Sequence, residues 1–193
     1  ICVTGIGASK EFSALMVNAL PNLSLLDNSQ CFPLYTYEKI EEDTQLSLFT
    51  TPETSYLKKE NIPNGILTEF QRVYSDATIT KEEIFYYVYG ILHSPEYKSC
   101  FAADLKKMLP RIPYAKDFWA FSKAGRELAK WHVDYETVEP YPLREEQTSD
   151  LNPDSTEFYR VEKMRFAKVN KGEDKTTIIY NSNVRLTGIP LEA

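Results

Sequence analysis

A chain of 193 residues, 42% of them hydrophobic, is long enough to bury a substantial core without disulfide staples, and its length predicts one domain. No stretch approaches the roughly 20 apolar residues needed to cross a bilayer, which excludes a spanning helix; the sparse, widely spaced cysteines make the cytoplasm the expected location. The net charge of −6 speaks against nucleic acid when taken whole, but it divides into acidic blocks at 1–97 (−7) and 132–159 (−7) and basic blocks at 98–131 (+5) and 160–175 (+3).

In chain order, Ile1–Thr4 reads as a strand already in progress, so the sequence is expected to be a piece of a longer protein. Phe12–Leu20 suggests a short helix ended by Pro21, and Leu23–Leu26 a second strand. Cys31–Tyr37 alternates as a third strand, with Tyr35 and Tyr37 on one face, and Pro33 places it at a sheet edge or at its own beginning. Residues 38–64 are polar and lack a period, which predicts a long exposed loop, followed by a short helix at Ile66–Tyr74. Thr80-Lys81-Glu82-Glu83 is a capping box, and Ile84, Val88, Ile91 and Leu92 follow at helical spacing. Ser94-Pro95 opens a second helix with Tyr97, Phe101, Leu105, Met108 and Leu109 on its apolar face, stopped by Pro110. A third runs from about Lys116 to His132 and is expected to bury Phe118, Phe121, Leu128 and Trp131. Asp134–Pro153 is acidic and reads as a loop. Strands are predicted at Arg160–Phe166, Thr176–Tyr180 and Val184–Thr187, the first two joined by a hairpin turn at Asn170–Asp174. Strands, then a helical block, then strands specify an α+β fold. One domain over 1–193 is thus expected, with a strand-rich part at 1–50, a loop and short helix at 51–79, helices at 80–133, and an acidic loop then strands at 134–193.

The chemistry is sparse. Cys2, Cys31 and Cys100 match no metal spacing and are expected as three reduced thiols. His93 and His132 stand where structural roles suffice: a junction at which a ring nitrogen satisfies a loose carbonyl, and a helix end at which a partly cationic ring complements the dipole. No nucleophile elbow or metal-ligand cluster appears, so no catalytic residue and no metal site is expected. Gly5-Ile6-Gly7-Ala8-Ser9-Lys10 fails both the dinucleotide and the Walker spacing, although its amides, Ser9 and Lys10 can hold a nucleic-acid phosphate. The 10 Phe and 13 Tyr suit either a core or platforms for bases. The basic helical block, with Lys98, Arg111, Lys116 and Arg126 among its eight cations, can neutralise phosphates, though solvated helix faces carry such charge routinely.

Tyr89-Gly90-Ile91-Leu92-His93-Ser94-Pro95-Glu96-Tyr97, Phe101–Lys106, Leu109–Pro113, Asp117–Phe121, Ala124–Ala129 and the upstream Gln30–Tyr37 together resemble the C-terminal specificity region of type ISP restriction–modification enzymes. The resemblance spans about residues 1–137, with the later strands fitting its tail. It implies a target-recognition domain that binds double-stranded DNA and is not itself an enzyme. It also implies a parent chain with nuclease, ATP-driven translocase and adenine methyltransferase parts, where S-adenosylmethionine, ATP and Mg would act, and a methyltransferase domain as neighbour. On that reading Gln30 suits adenine, Lys10 or Lys58 suit guanine, and Tyr35 and Tyr37 suit groove packing. An architectural module docking on the methyltransferase, without reading DNA, is the alternative. A nucleotide-binding enzyme using Gly5 and Gly7 is a third.

Overall fold

In the computed structural model, which describes residues 1–39, 56–170 and 172–191, strands at both ends of the chain flank a central helical block, giving an α+β architecture. The chain divides into two compact units, Ile1–Val138 and Glu139–Ala193.

The first unit is organised by helix α2 (Lys81–His93). Its capping box is complete: Thr80 Oγ1 accepts from the Glu83 amide, and the Glu83 carboxylate accepts from the Thr80 amide at 2.8 Å. That start sets the helix phase, which buries Ile84, Phe85, Tyr87, Tyr89, Ile91 and Leu92. Helix α5 (Phe118–Val133), N-capped by Asp117, lies against α2, and α1 (Asn64–Tyr74) contributes buried Phe70. Phe118 stacks on Tyr87 at 5.0 Å between ring centroids. The Ser94-Pro95 helix stops early. It forms α3 (Pro95–Cys100) and a single turn α4 (Ala102–Leu105), because Phe101 leaves the helical backbone region between them. Tyr97 and Leu105 are buried, whereas Phe101, Met108 and Leu109 are exposed. Trp131, expected in the core, is 53% exposed; Ser122, Gly125 and Ala129 take the α2-facing positions instead.

A three-stranded antiparallel sheet of β1 (Cys2–Val3), β2 (Ala14–Leu15) and β3 (Gln30–Cys31) has β1 at its centre. It replaces the helix expected at Phe12–Leu20. The amides there are already committed: Ser13 N–H donates to Thr4 Oγ1 at 2.9 Å and Met16 N–H to the Tyr89 hydroxyl at 2.7 Å. Leu23–Leu26 is a run of turns, not a strand, with Leu26 N–H donating to Ser29 Oγ and Asp27 and Asn28 both at positive φ. Cys2 and Cys31 face each other directly across β1 and β3 and form a disulfide, which corrects the expectation of three reduced thiols; Cys100 is free and exposed. Nothing in a spacing of 29 residues announces that pairing, since register alone creates it.

The expected strand at Cys31–Tyr37 is split by Phe32-Pro33-Leu34, and its second half becomes β4 (Tyr35–Lys39). β4 pairs antiparallel with β5 (Tyr56–Glu60), a strand inside the segment read as loop. The remainder of that expected loop, residues 40–55, lies outside the described residues.

The second unit is a four-stranded antiparallel sheet in the order β6 (Arg144–Gln147), β9 (Val184–Thr187), β8 (Gly172–Ile179), β7 (Arg165–Val169). β6 arises within the stretch read as acidic loop, and β7 starts five residues later than expected. Buried Asn181 ties the unit together. Its Nδ2 donates to the Phe158 and Arg160 carbonyls, and its Oδ1 accepts from the Asn183 and Val184 amides.

The two histidines meet around Tyr89. The Tyr89 hydroxyl accepts from the Met16 amide and is hydrogen-bonded to His132 Nδ1. Burial lowers the His132 pKa, which works against the partly cationic ring expected at this helix end. Burial first, then the charges of Lys98 and His132, lower His93 to about 4; its Nε2 has no partner among the described residues. Both shifts are depressions, so the unfolded chain binds protons first as pH falls. Stability is therefore complete above about pH 6.5 and declines toward the folded pKa. Between pH 7 and pH 5, above the carboxylate range, a loss of about 1–2 kcal/mol is expected. Urea midpoints at the two pH values measure it, and His93→Asn should flatten the difference.

Candidate nucleic-acid interface

Two-stranded ribbons are held by pairing, and this one is held at its base. Asn61 N–H donates to the Leu34 carbonyl at 2.9 Å, Asn61 Nδ2 to the Pro33 carbonyl at 3.0 Å, and Lys81 on α2 pairs with Glu60 at 3.3 Å. Leu34 and Ile62 pack on the core beneath. Above that base every residue of β5 is exposed, as are Tyr37, Glu38 and Lys39 of β4.

Directly paired residues share a face. The register Tyr35↔Glu60, Tyr37↔Lys58, Lys39↔Tyr56 therefore collects three tyrosines and two lysines on one side of the ribbon. The other side holds Thr36, Glu38, Leu57 and Lys59, where Lys59 and Glu38 form an ion pair. On the tyrosine side the Lys58 ammonium sits 3.5 Å over the Tyr35 ring, while Tyr37 and Tyr56 are 62% and 59% exposed. One negative charge on this side, Glu60, is neutralised by Lys81. A two-stranded ribbon of this width fits the major groove of duplex DNA, where lysine can donate to guanine acceptors and tyrosine presents both a ring and a hydroxyl.

Three of the expected residues, Tyr35, Tyr37 and Lys58, thus come together on one surface. Lys39 and Tyr56 belong with them and were not anticipated; the alternation of tyrosine and lysine in Tyr56-Leu57-Lys58 was the available signal. Gln30 stands apart on edge strand β3. Ser9 and Lys10 are also separate, and their donors are engaged: both amides and the Ser9 hydroxyl donate to Asp27 Oδ2, at 2.9, 3.3 and 2.8 Å. Those bonds hold the Asp27 carboxyl below its usual pKa, with the Ser9 hydroxyl as the largest cause. An internal carboxylate thus occupies the place offered to a phosphate.

The helical cations also differ among themselves. Arg126 pairs with Glu82 at 2.7 Å and lies 4.1 Å over the Tyr86 ring, pinning α5 to α2. Lys98, Arg111 and Lys116 form no side-chain ion pair among the described residues. Arg111 and Lys116 bracket a segment fastened from below by three tyrosine hydroxyls: Tyr97 donates to the Arg111 carbonyl, Tyr87 to that of Pro113 and Tyr74 to that of Ala115. Among the described residues no group of three His, Cys, Asp or Glu side chains could hold a metal ion, and no helix is long and apolar enough to cross a membrane.

The family model described as the type ISP C-terminal specificity domain matches residues 1–193. Three solved structures are similar over 98% of this chain. The DrdV–DNA complex, determined by cryo-electron microscopy, has 31% identity and a TM-score of 0.80. The ATP-dependent type ISP restriction–modification enzyme LlaBIII bound to DNA has 32% identity and a TM-score of 0.75. A nuclease-deletion mutant of the type ISP enzyme LlaGI, in complex with a DNA substrate mimic, has 29% identity and a TM-score of 0.68. The matched region is 18%, 11% and 12% of those chains respectively. No curated protein sequence matches the chain.

Proposed function

The chain belongs to the type ISP C-terminal specificity domains, and on that premise we propose that it reads a short sequence in double-stranded DNA on behalf of a restriction–modification enzyme. The observation that carries the reading is the ribbon β4–β5, a projecting pair of strands with interleaved tyrosine and lysine on one face and a base fixed to the helical core. Lys98, Arg111 and Lys116 supply phosphate contacts that set the register, and the ribbon meets base edges. Adenine methylation, ATP-driven translocation and cleavage belong to the remainder of the parent protein. S-adenosylmethionine, ATP and Mg act there, and its methyltransferase domain is the neighbour against which this domain is held. The acidic blocks keep the surface away from DNA soluble.

The test is selection from a pool of random duplexes across a salt series, with sequencing of what is retained. Enrichment of one short motif, with log affinity falling as salt rises, is the expected result. Tyr37→Ala with Lys58→Ala should relax preference at one or two positions of that motif by about 1–3 kcal/mol, whereas Thr36→Ala with Leu57→Ala, on the opposite face, should leave it intact. Failure to bind at low salt would favour an architectural role in which the domain docks on the methyltransferase without touching bases.

A further inference from the structure

The sheet of the second unit carries a cationic row on one face. Register sets Arg165 of β7 opposite Ile179 of β8, and Ile179 opposite Arg185 of β9. The two arginines therefore point to the same side, two strand spacings or about 10 Å apart at the backbone. Phe166, Ile178 and Leu186, the next row, turn to the opposite side. Lys163, two residues before β7, joins the arginines around a cavity of about 300 Å³ whose wall also holds Thr148, Ser182 and one acid, Glu162. Glu146 continues the row beyond Arg185, its Oε1 3.3 Å from the Thr187 hydroxyl. Arg165, Arg185 and Lys163 are exposed, and none is in an ion pair among the described residues.

Unpaired guanidinium groups on a short-rise strand scaffold are well suited to phosphate oxygens, which they can grip with parallel N–H bonds. A structural arginine would be expected to fold onto the carboxylates within reach, as Arg126 does on Glu82 in the first unit. No aromatic side chain lines this cavity to stack on a base. We propose that the face bearing Lys163, Arg165 and Arg185 is a second nucleic-acid contact, one that takes backbone phosphates without reading sequence. The proposal rests on the DNA-recognition reading above and adds a separate surface, on the second unit, to the interface assigned there.

The experiment uses the full-length protein and compares Arg165→Gln with Arg185→Gln combined against wild type, on the preferred duplex and on a scrambled one, across a salt series. Affinity for both duplexes should fall by a common factor of about 10–100 at low salt, and the slope of log affinity against log salt should shrink in magnitude by about 2. The lysine pair, Arg165→Lys with Arg185→Lys, should keep most of the slope, and melting temperatures should not move. If wild type binds and the glutamine pair binds equally well with the same slope, the proposal fails while the recognition reading stands. A loss confined to the preferred duplex also overturns it, because the face would then be reading bases. If wild type binds neither duplex, the recognition reading itself fails and this one with it.

Discussion

Gly125→Ala is expected to destabilise the first unit by about 3 kcal/mol or more, although the same change on an open helix would stabilise it by nearly 1. The reason is the crossing of α2 and α5. A Cβ on Gly125 would stand 2.0 Å from the Tyr86 carbonyl oxygen and 2.7 Å from the Gly90 amide nitrogen. A Cβ on Gly90 would in turn stand 2.3 Å from the Phe121 carbonyl oxygen. All of these neighbours are backbone, so no rotamer relieves the clash and the helices must separate. Separation would also stretch the bond from Ser122 Oγ to the Glu83 carbonyl, now 3.0 Å, and loosen the stack of Phe118 on Tyr87. Gly65 supplies the control, because a Cβ there meets nothing within 4 Å. Urea unfolding of the two alanine variants should move in opposite directions. Equal or higher stability for Gly125→Ala would mean that the helices do not cross at these glycines.

The same crossing explains what the resemblance to the type ISP region could reveal. Tyr89, Gly90, Leu92, Tyr97, Leu105, Phe118 and Gly125 are all buried. A motif composed of such residues fixes how helices pack, and it says little about which bases are read. Caps were equally legible. Thr80 and Ser94 each accept from a helix-start amide, as expected, and this chemistry is local; the Asp117 cap of α5 is of the same kind but was not anticipated. The ribbon was not legible because β5 is exposed at every position and has no buried face to impose an alternation. Its order comes from β4 across the pair, as β6 takes its order from β9. The Arg165–Ile179–Arg185 row is more distant still from local signals. It depends on the register of three strands and on a shift of pairing at Phe166/Ala167. The disulfide and the misplaced helix at Phe12–Leu20 have one cause. Both depend on β1 having neighbours on each side, and two-residue strands leave almost no pattern in sequence.

Tyr87→Phe removes one oxygen and should cost about 2–3 kcal/mol, a large effect for a change that creates no cavity of consequence. Tyr87 is fully buried, and its hydroxyl donates to the Pro113 carbonyl at 2.6 Å while accepting from the Ala115 amide at 2.7 Å. Phenylalanine would leave both backbone groups without their partner, and the penalty is chiefly that of two unsatisfied groups. Tyr74→Phe gives the scale. The Tyr74 hydroxyl donates to the Ala115 carbonyl alone, at 2.8 Å, so its loss should cost about half as much. The Tyr74 and Tyr87 hydroxyls lie 3.2 Å apart, but each has spent its proton on a carbonyl, so that contact adds little. Residues 113–115 lie between Arg111 and Lys116, two of the cations assigned to phosphates. The tyrosines thus act as a template for charge placement, and Tyr87→Phe should also weaken DNA binding in a folded sample. That weakening should be uniform across sequences, since the freed segment carries phosphate contacts and no base readers. A sequence-dependent loss would instead place Arg111 or Lys116 against base edges and move part of the reading from the ribbon to this segment.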